Sequence, residues 1–120
     1  MAYVDVMVVP FKATNLKAYK KLVRDSSKAW KRSGALGYHE MVEDDVKPGK
    51  VTSFPQSVKL AKGEKIGCAY IIFKNKAHRG ACWKRMMKDP FIAGFDPKKV
   101  PFDAKRMFFG GFKTLVQFSS

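Results

Sequence analysis

Residues 3–10 (YVDVMVVP) and 66–73 (IGCAYIIF) decide the fold, because each is rich in β-branched and other apolar residues and has the length of one strand. Side chains alternate between the two faces of a strand. In both segments the two faces are largely apolar. In 66–73 the opposing sets are Cys68, Tyr70 and Ile72 against Ala69, Ile71 and Phe73. A sheet built from such strands has to be covered on both sides.

Periodicity along the rest of the chain predicts two helices and two further strands. Apolar residues recur at helical spacing from Asn15, where Thr14 or Asn15 can cap the helix, to Gly34, which suits a helix end. Asn75 is placed to cap a second helix, which Asp89-Pro90 ends. The predicted strands are 3–10, 36–43, 66–73 and 107–118. Residues 44–65 are too broken for a helix and are predicted to be a long loop, with or without a short strand.

The order β-α-β-β-α-β predicts an α+β protein of ferredoxin-like type, a four-stranded antiparallel sheet with both helices on one face. One domain, 1–120, suits a chain of this length. The second apolar face then needs another cover. We expect a homodimer that buries on the order of 2,000 Å² in total. A large apolar ligand or a different protein on that face is the alternative.

Composition favours a packed soluble protein, with 46% hydrophobic and 28% charged residues. No stretch approaches the roughly 20 apolar residues that cross a bilayer, so no membrane partner is expected. The start, MAYVDVMVVP, carries Asp5 and is more typical of a strand than of a signal peptide. A cytoplasmic location is therefore expected, and Cys68 and Cys82 are expected to be reduced.

Motifs for common cofactors are absent from the sequence, among them GxGxxG, the Walker-type phosphate loop, GxSxG and CxxC. The two histidines, His39 and His78, form no recognisable metal-ligand spacing. His39 and Glu40 are neighbours on a predicted strand and so point to opposite faces. We expect neither a cofactor nor a metal. Gly110-Gly111 in the last strand predicts a bulge or a close backbone approach.

Four residues are candidates for a ligand pocket: Asp5, Glu40, Tyr70 and Arg106. A carboxylate on a strand covered on both faces must be paired or have a raised pKa. Asp5 and Glu40 can therefore each be a general base or a structural partner of a cation or of backbone amides. Arg106 can hold a ligand carboxylate or phosphate, or pair with Asp103 and fix the loop.

A pocket between sheet and helices is conceivable from the large side chains expected there. Its predicted lining is Tyr3, Tyr19, Trp30, Tyr70, Trp83 and Met86. Aromatic stripes at helical spacing are usually core, and that simpler interpretation is preferred.

Charge is the most unusual compositional feature, with a formal net charge of +14. Residues 12–32 hold eight basic residues and one acid, and residues 74–88 hold six and none. The predicted exposed set is Lys17, Lys21, Arg24, Lys28, Lys84 and Lys88. Basic helix faces suggest nucleic-acid binding. They are mostly lysine and lack an exposed aromatic platform, so only non-specific, salt-dependent binding of polyanions is expected.

Several blocks of the sequence, taken in order, resemble the YbaA-like family of small bacterial proteins. They include GALGYHEMVEDDVKPGKVTSFPQSV at 34–58 and VPFDAKRMFFGGF at 100–112. Val6 and Ile72 differ from the family pattern, which has a glycine and an acid there. The resemblance implies a dimeric α/β barrel, in which two sheets pack face to face, and it supports the homodimer.

Three function classes follow. The first is a homodimer that binds a small ligand in or beside the barrel. The second, by analogy with other dimeric barrels, is a cofactor-free monooxygenase- or isomerase-like enzyme. The third is a nucleic-acid-binding protein that uses the basic helix faces.

Overall fold

The structure, a computed structural model, describes residues 1–118. Its elements are β1 (Tyr3–Lys12), a 3-10 turn (Ala13–Asn15), α1 (Leu16–Arg32), β2 (Gly37–Val42), α2 (Phe54–Ser57), β3 (Glu64–Phe73), α3 (Lys76–Met87), α4 (Pro90–Ala93) and β4 (Phe108–Lys113). The strand order is β2-β3-β1-β4, and every neighbouring pair is antiparallel. The predicted ferredoxin-like α+β fold is confirmed. No helix within residues 1–118 is long and apolar enough to cross a membrane.

Strand register assigns the side chains to the two faces of the sheet. Asp5 of β1 lies opposite Ile71 of β3, and Glu40 of β2 lies opposite Ala69. These residues share the face that the helices cover. The buried core on this face contains Ala29, Trp30, Ile71, Phe73, Cys82 and Met86. The Trp30 ring meets the rings of Phe73 and Trp83 edge-on, with centroids 5.9 and 4.8 Å away.

The structure confirms some of the helix ends that were predicted from the sequence and corrects one of them. Gly34 follows α1 with φ of +100°, as predicted. Asn75 caps α3, because its side chain accepts a hydrogen bond from the His78 amide at 2.8 Å. The predicted cap of α1 is wrong: the Asn15 side chain makes no cap hydrogen bond, and the 3-10 turn leads into the helix instead.

Pro90 ends α3 as predicted, but it also begins the unpredicted helix α4. Proline suits the first turn of a helix, where its missing N–H has no intrahelical partner to lose. The Asp89 carboxylate caps α4 by accepting from the Phe91 amide at 2.9 Å. It also pairs with Arg32 of α1, with an Nη2–Oδ1 distance of 2.8 Å. This single acid therefore joins the end of α1 to the start of α4.

Residues 44–65 are more ordered than predicted. They contain the one-turn helix α2, which Ser53 caps by accepting from the Gln56 amide, and β3 already begins at Glu64. The expectation that this stretch holds no helix is therefore wrong. Val58 packs with Val8 and Ile66 in a buried cluster. Since Val8 and Ile66 lie on the face away from the helices, the loop covers one end of that second face.

The remainder of the second face stays partly exposed. Its side chains are Val4 and Val6 of β1, His39 and Met41 of β2, Tyr70 and Ile72 of β3, and Phe108 and Phe112 of β4, of which Phe112 is 61% exposed. The two-sided apolar pattern of the central strands is thus confirmed. The helices cover one side and the loop covers part of the other.

Strand β4 is shorter than predicted and ends at Lys113 rather than at residue 118. The predicted bulge is wrong, because Gly110 and Gly111 pair with Val6 and Asp5 without interruption. The alternative, a close approach, is confirmed at Gly111. A Cβ there would lie 2.7 Å from Cε1 of Tyr3 and 3.0 Å from Oδ1 of Asp5.

The two glycines offer a matched test of this packing. Gly111→Ala should lower the free energy of unfolding by about 1–3 kcal/mol, because the new methyl group displaces Tyr3. Gly110→Ala, on the other face, would meet only Phe112 at 3.8 Å. It should change stability by less than about 0.5 kcal/mol. Urea unfolding measures both, and equal effects would contradict the close approach.

Candidate functional site

A cavity of about 220 Å³ lies between the sheet and helices α1, α3 and α4. Its walls are mostly apolar and aromatic and include Tyr19, Trp30, Trp83, Phe91 and Phe102. Two carboxylates, Asp5 and Glu40, also line it. Tyr19, Trp30 and Met86 belong to the buried core, as the simpler interpretation holds, and they also line this space. Tyr3, also predicted for this lining, is not in the wall of the cavity.

Glu40 is held by two phenols. Tyr19 donates a hydrogen bond to Oε2 at 2.8 Å, and Tyr38 donates to Oε1 at 2.6 Å. Within residues 1–118, no basic nitrogen lies within the 4.0 Å of an ion pair to this carboxylate. Glu40 is therefore a partly buried acid with neutral partners.

Strand alternation explains the contact of Tyr38 with Glu40, and the packing of α1 on the sheet explains the contact of Tyr19 with Glu40. Tyr38 and Glu40 are two apart on β2 and so share a face. Tyr19 is buried in the apolar stripe of α1 and stacks on Phe11 at 4.3 Å between ring centroids. Its hydroxyl occupies the space where a side chain at Gly67 would lie. Sequence reasoning overlooked Tyr38, although its spacing from Glu40 was a usable signal.

Burial governs the protonation of Glu40, Tyr19 and Tyr38, which together form the Glu40 triad. It raises the pKa of the Glu40 carboxyl, and the hydrogen bonds from Tyr38 and Tyr19 only partly oppose that effect. Burial, together with the adjacent carboxylate, also raises the pKa of both Tyr19 and Tyr38 far above its ordinary range. The phenols therefore stay protonated, and the carboxyl is the group of the triad that can exchange a proton.

Asp5 has a different environment. It is 4% exposed and accepts from Nε of Arg79 at 2.9 Å and from Nε1 of Trp83 at 2.8 Å. The Arg79 Nη2 atom adds a contact at 2.9 Å. Of the two alternatives for Asp5, general base or structural partner, these contacts match the structural partner. The Asp5 carboxylate attaches α3 to β1.

Tyr70, which was predicted for the lining of this cavity, does not line it, and neither does the separate candidate Arg106. Tyr70 lies on the second face, where its hydroxyl is 2.9 Å from Nδ1 of His39. Arg106 makes the expected pair with Asp103 and a bidentate pair with Glu64. It also donates to the carbonyls of Val58 and Lys59. Arg106 therefore fixes the long loop and is not part of the cavity wall.

The remaining polar candidates form no further site. In the part of the chain that the structure describes, no group of three or more His, Cys, Asp or Glu residues could hold a metal. His78 is half-buried, with Nε2 3.4 Å from Sγ of Cys82, one helical turn away. Cys68 and Cys82 are both free thiols, as predicted.

The predicted basic surface is exposed on the outer sides of α1 and α3. All six residues are exposed: Lys17, Lys21, Arg24, Lys28, Lys84 and Lys88. Arg24 and Lys28 also border a shallow outer groove that reaches Tyr38 and Glu40 from outside the cavity. The outer helix faces are thus strongly cationic, whereas the cavity beneath them is acidic.

Comparison with known families places this architecture. A profile of the family described as "Protein of unknown function (DUF1428)" matches residues 2–104. The chain belongs to the DUF1428 family.

Relatives of this DUF1428 protein agree with that assignment. It is 36% identical over 116 residues to "Uncharacterized protein YbaA" of Escherichia coli strain K12, a match that covers 97% of this chain and 98% of YbaA. The YbaA-like resemblance is therefore confirmed. The relative of Shigella flexneri has the same identity and coverage.

Two solved structures share the fold. A NIPSNAP domain protein of Burkholderia xenovorans is 12% identical with a TM-score of 0.58, and the match covers 98% of this chain and 99% of that one. A NIPSNAP-family protein of Agrobacterium tumefaciens is 19% identical with a TM-score of 0.58, covering 98% and 91%. At such identities the likeness shows the ferredoxin-like fold alone.

The two carboxylates of the DUF1428 cavity should respond oppositely to neutralisation. A raised folded-state pKa means that the Glu40 carboxyl favours folding only while protonated. That contribution is present below its unfolded pKa of about 4.3 and is lost as the pH rises through the folded value. Glu40→Gln should therefore remove this pH dependence, so that the variant gains stability relative to the unaltered protein as the pH rises from about 4.5 to 7. The gain should shrink toward about pH 4.5 in urea unfolding.

Asp5→Asn is the matched change. It leaves Arg79 without its counter-ion and should lower the free energy of unfolding by about 1–3 kcal/mol at pH 7. This is less than for a fully buried pair, because the Arg79 side chain is 26% exposed. A loss of stability in both variants would show that Glu40 is also a structural partner.

Proposed function

We propose that this protein is a homodimer that binds a small, largely apolar molecule in the cavity between sheet and helices. The observation that carries the proposal is the cavity itself, an apolar space that ends on the Glu40 carboxylate and its two phenols. Ligand sites are commonly apolar and aromatic, with a few polar groups that fix orientation. The Glu40 triad supplies such groups.

The volume supports a ligand of one or two rings. A dry cavity of about 150 Å³ lined by apolar side chains accepts benzene. The present cavity, at about 220 Å³, is larger. It is smaller than the roughly 300–1,000 Å³ of sites for drug-sized molecules.

A cofactor-free monooxygenase- or isomerase-like enzyme in the same cavity is the second candidate, and Glu40 favours it as a carboxyl with a raised pKa. Such an enzyme also needs a donor for the developing oxyanion. Tyr19, Tyr38 and Trp83 already donate to Glu40 or Asp5. Ligand binding needs no additional donor, so the residues of the cavity support binding better than they support catalysis.

Filling the cavity should abolish binding. Both tryptophans of the chain, Trp30 and Trp83, line it, so their fluorescence reports occupancy directly. We expect bromobenzene, a neutral one-ring quencher, to reduce that fluorescence saturably. Val23→Phe, in the wall, should weaken the quenching at least about tenfold, since the added ring occupies the space.

Ala18→Phe adds the same ring on the exposed side of α1 and serves as the control. It should leave the quenching unchanged. Linear, non-saturable quenching in the unaltered protein would overturn the binding proposal.

The homodimer is supported by the part of the second face that the loop leaves exposed. Val6 and Ile72 are half-buried there, and Phe108 and Phe112 are 47% and 61% exposed. Monomers rarely expose contiguous apolar patches above a few hundred Å². The same face of a second copy is a self-complementary cover of the size that obligate dimers bury.

A charge on this face should separate the subunits. We expect the unaltered protein to be a dimer by light scattering, also at high salt, because the contact is apolar. Val6→Lys combined with Ile72→Lys should yield monomers at micromolar concentration. Val42→Lys, on β2 but on the helix-side face, is the control and should stay dimeric. A monomeric unaltered protein would contradict the dimer.

Nucleic-acid binding through the basic helix faces is the weakest candidate. The exposed basic residues are mostly lysines, which act as point charges rather than planar forks. Such contacts give sequence-independent binding that falls steeply with salt. A cytoplasmic location belongs to the proposal and is supported by the two free thiols, which suit a reducing compartment.

A further inference from the structure

The charge inside the cavity is opposite in sign to that of the protein. The chain has a formal net charge of +14. Among the described residues that line the cavity, however, the ionisable side chains are Asp5, Glu40 and the two tyrosines, with no lysine, arginine or histidine. A ligand inside therefore meets only acidic side chains.

The two carboxylates do not contribute equally. Asp5 is neutralised by Arg79, which lies outside the cavity wall, and it also accepts from Trp83. Among the described residues, Glu40 has only the phenols of Tyr19 and Tyr38 as partners. A carboxylate oxygen has more than one lone pair, so Glu40 can accept a further hydrogen bond from a ligand.

Aromatic rings complete a site of this kind. Trp30 and Trp83 meet edge to face at 4.8 Å between ring centroids, and Phe91, Phe102 and Tyr19 line the same cavity. The faces of aromatic rings attract cations, and tryptophan does so most strongly. The rings and the Glu40 carboxylate thus favour the same sign of ligand charge.

We propose that the cavity selects organic cations, namely amines with an apolar body of one or two rings whose ammonium group pairs with the Glu40 carboxylate. This inference rests on the proposed ligand-binding function and specifies its ligand class. An ammonium donates a charge-assisted hydrogen bond to Glu40, which is stronger than a bond between neutral groups. A carboxylate or phosphate ligand would instead place like charges together in a poorly solvated space.

The positive surface does not cancel this selection. The cations nearest to Glu40 on the outside, Lys20, Arg24 and Lys28, are exposed. At physiological ionic strength the field of exposed charges decays over about 8 Å, whereas buried pairs are screened much less. The surface charge slows the approach of a cation, while the partly buried Glu40 carboxylate, which a ligand in the cavity contacts directly, determines its affinity.

Three probes of one shape test the proposal: 4-bromobenzylamine, 4-bromobenzyl alcohol and 4-bromobenzoate, which are cationic, neutral and anionic at pH 7. Quenching of Trp30 and Trp83 gives the dissociation constant of each. In the unaltered protein the amine should bind at least about tenfold more tightly than the alcohol, and the benzoate should bind most weakly. In Glu40→Gln the amine should lose more affinity than the alcohol, so that the two bind within about threefold of each other.

Asp44→Asn is the matched control for net charge, since it removes an exposed acid just beyond β2 and outside the cavity wall. It should keep the amine preference. Circular dichroism verifies that each variant is folded, and the comparison of probes in the unaltered protein needs no variant.

The outcomes separate the two proposals. If bromobenzene and the alcohol bind but the amine binds no more tightly, cation selection is wrong and ligand binding stands. If the amine preference persists in Glu40→Gln, the assignment to Glu40 is wrong. If no probe binds, bromobenzene included, the proposed function fails as well.

Discussion

The pairing of β1 with β3 is the constraint on which the rest of the structure depends. These two ten-residue strands form the centre of the sheet, and both of their faces are apolar. Each face therefore needs its own cover. Helices α1, α3 and α4 cover one face, and Val58 of the long loop covers one end of the other. Arg106 fixes that loop through the Val58 and Lys59 carbonyls, so the loop is part of the packing rather than a simple connection.

Two carboxylates on the helix-covered face illustrate how partners decide the role of one chemical group. Asp5 is paired with Arg79, 74 residues away, and connects α3 to the central strand. Glu40 borders the cavity, and within residues 1–118 it receives hydrogen bonds from phenols only. A buried carboxylate with a cation stabilises the contact between two elements, whereas one with neutral partners keeps the ability to accept a proton or a cation.

The sequence was sufficient for the order of the elements, because periods of 2 and 3.6 separate strands from helices over long stretches. It predicted the end of α1 at Gly34 and the cap of α3 at Asn75 from local chemistry. It missed α2 and α4, one-turn helices that leave no periodicity. It also misplaced Tyr70. Strand alternation correctly groups Tyr70 with Cys68 and Ile72, but both faces of the strand are apolar, so the local sequence does not show which face the helices cover. The partnership of Asp5 with Arg79 depends on tertiary packing and has no local signal.

Two helix-facing residues of β3 beneath α1, Gly67 and Ala69, are small. Gly67 accommodates the Tyr19 hydroxyl, and the adjacent helix-facing position, Ala69, is a small residue in the cavity wall. An unfilled space lowers stability because its walls lose packing contacts, and a partly buried carboxylate without a cation lowers it again. Both unfavourable features occur at one place. A leucine in place of Ala69 would fill space, and a glutamine in place of Glu40 would remove the charge. Local departures from good packing that coincide in this way are typical of functional sites rather than of hydrophobic cores. This coincidence, more than the size of the space, is the reason to regard the Glu40 end of the cavity as a binding site.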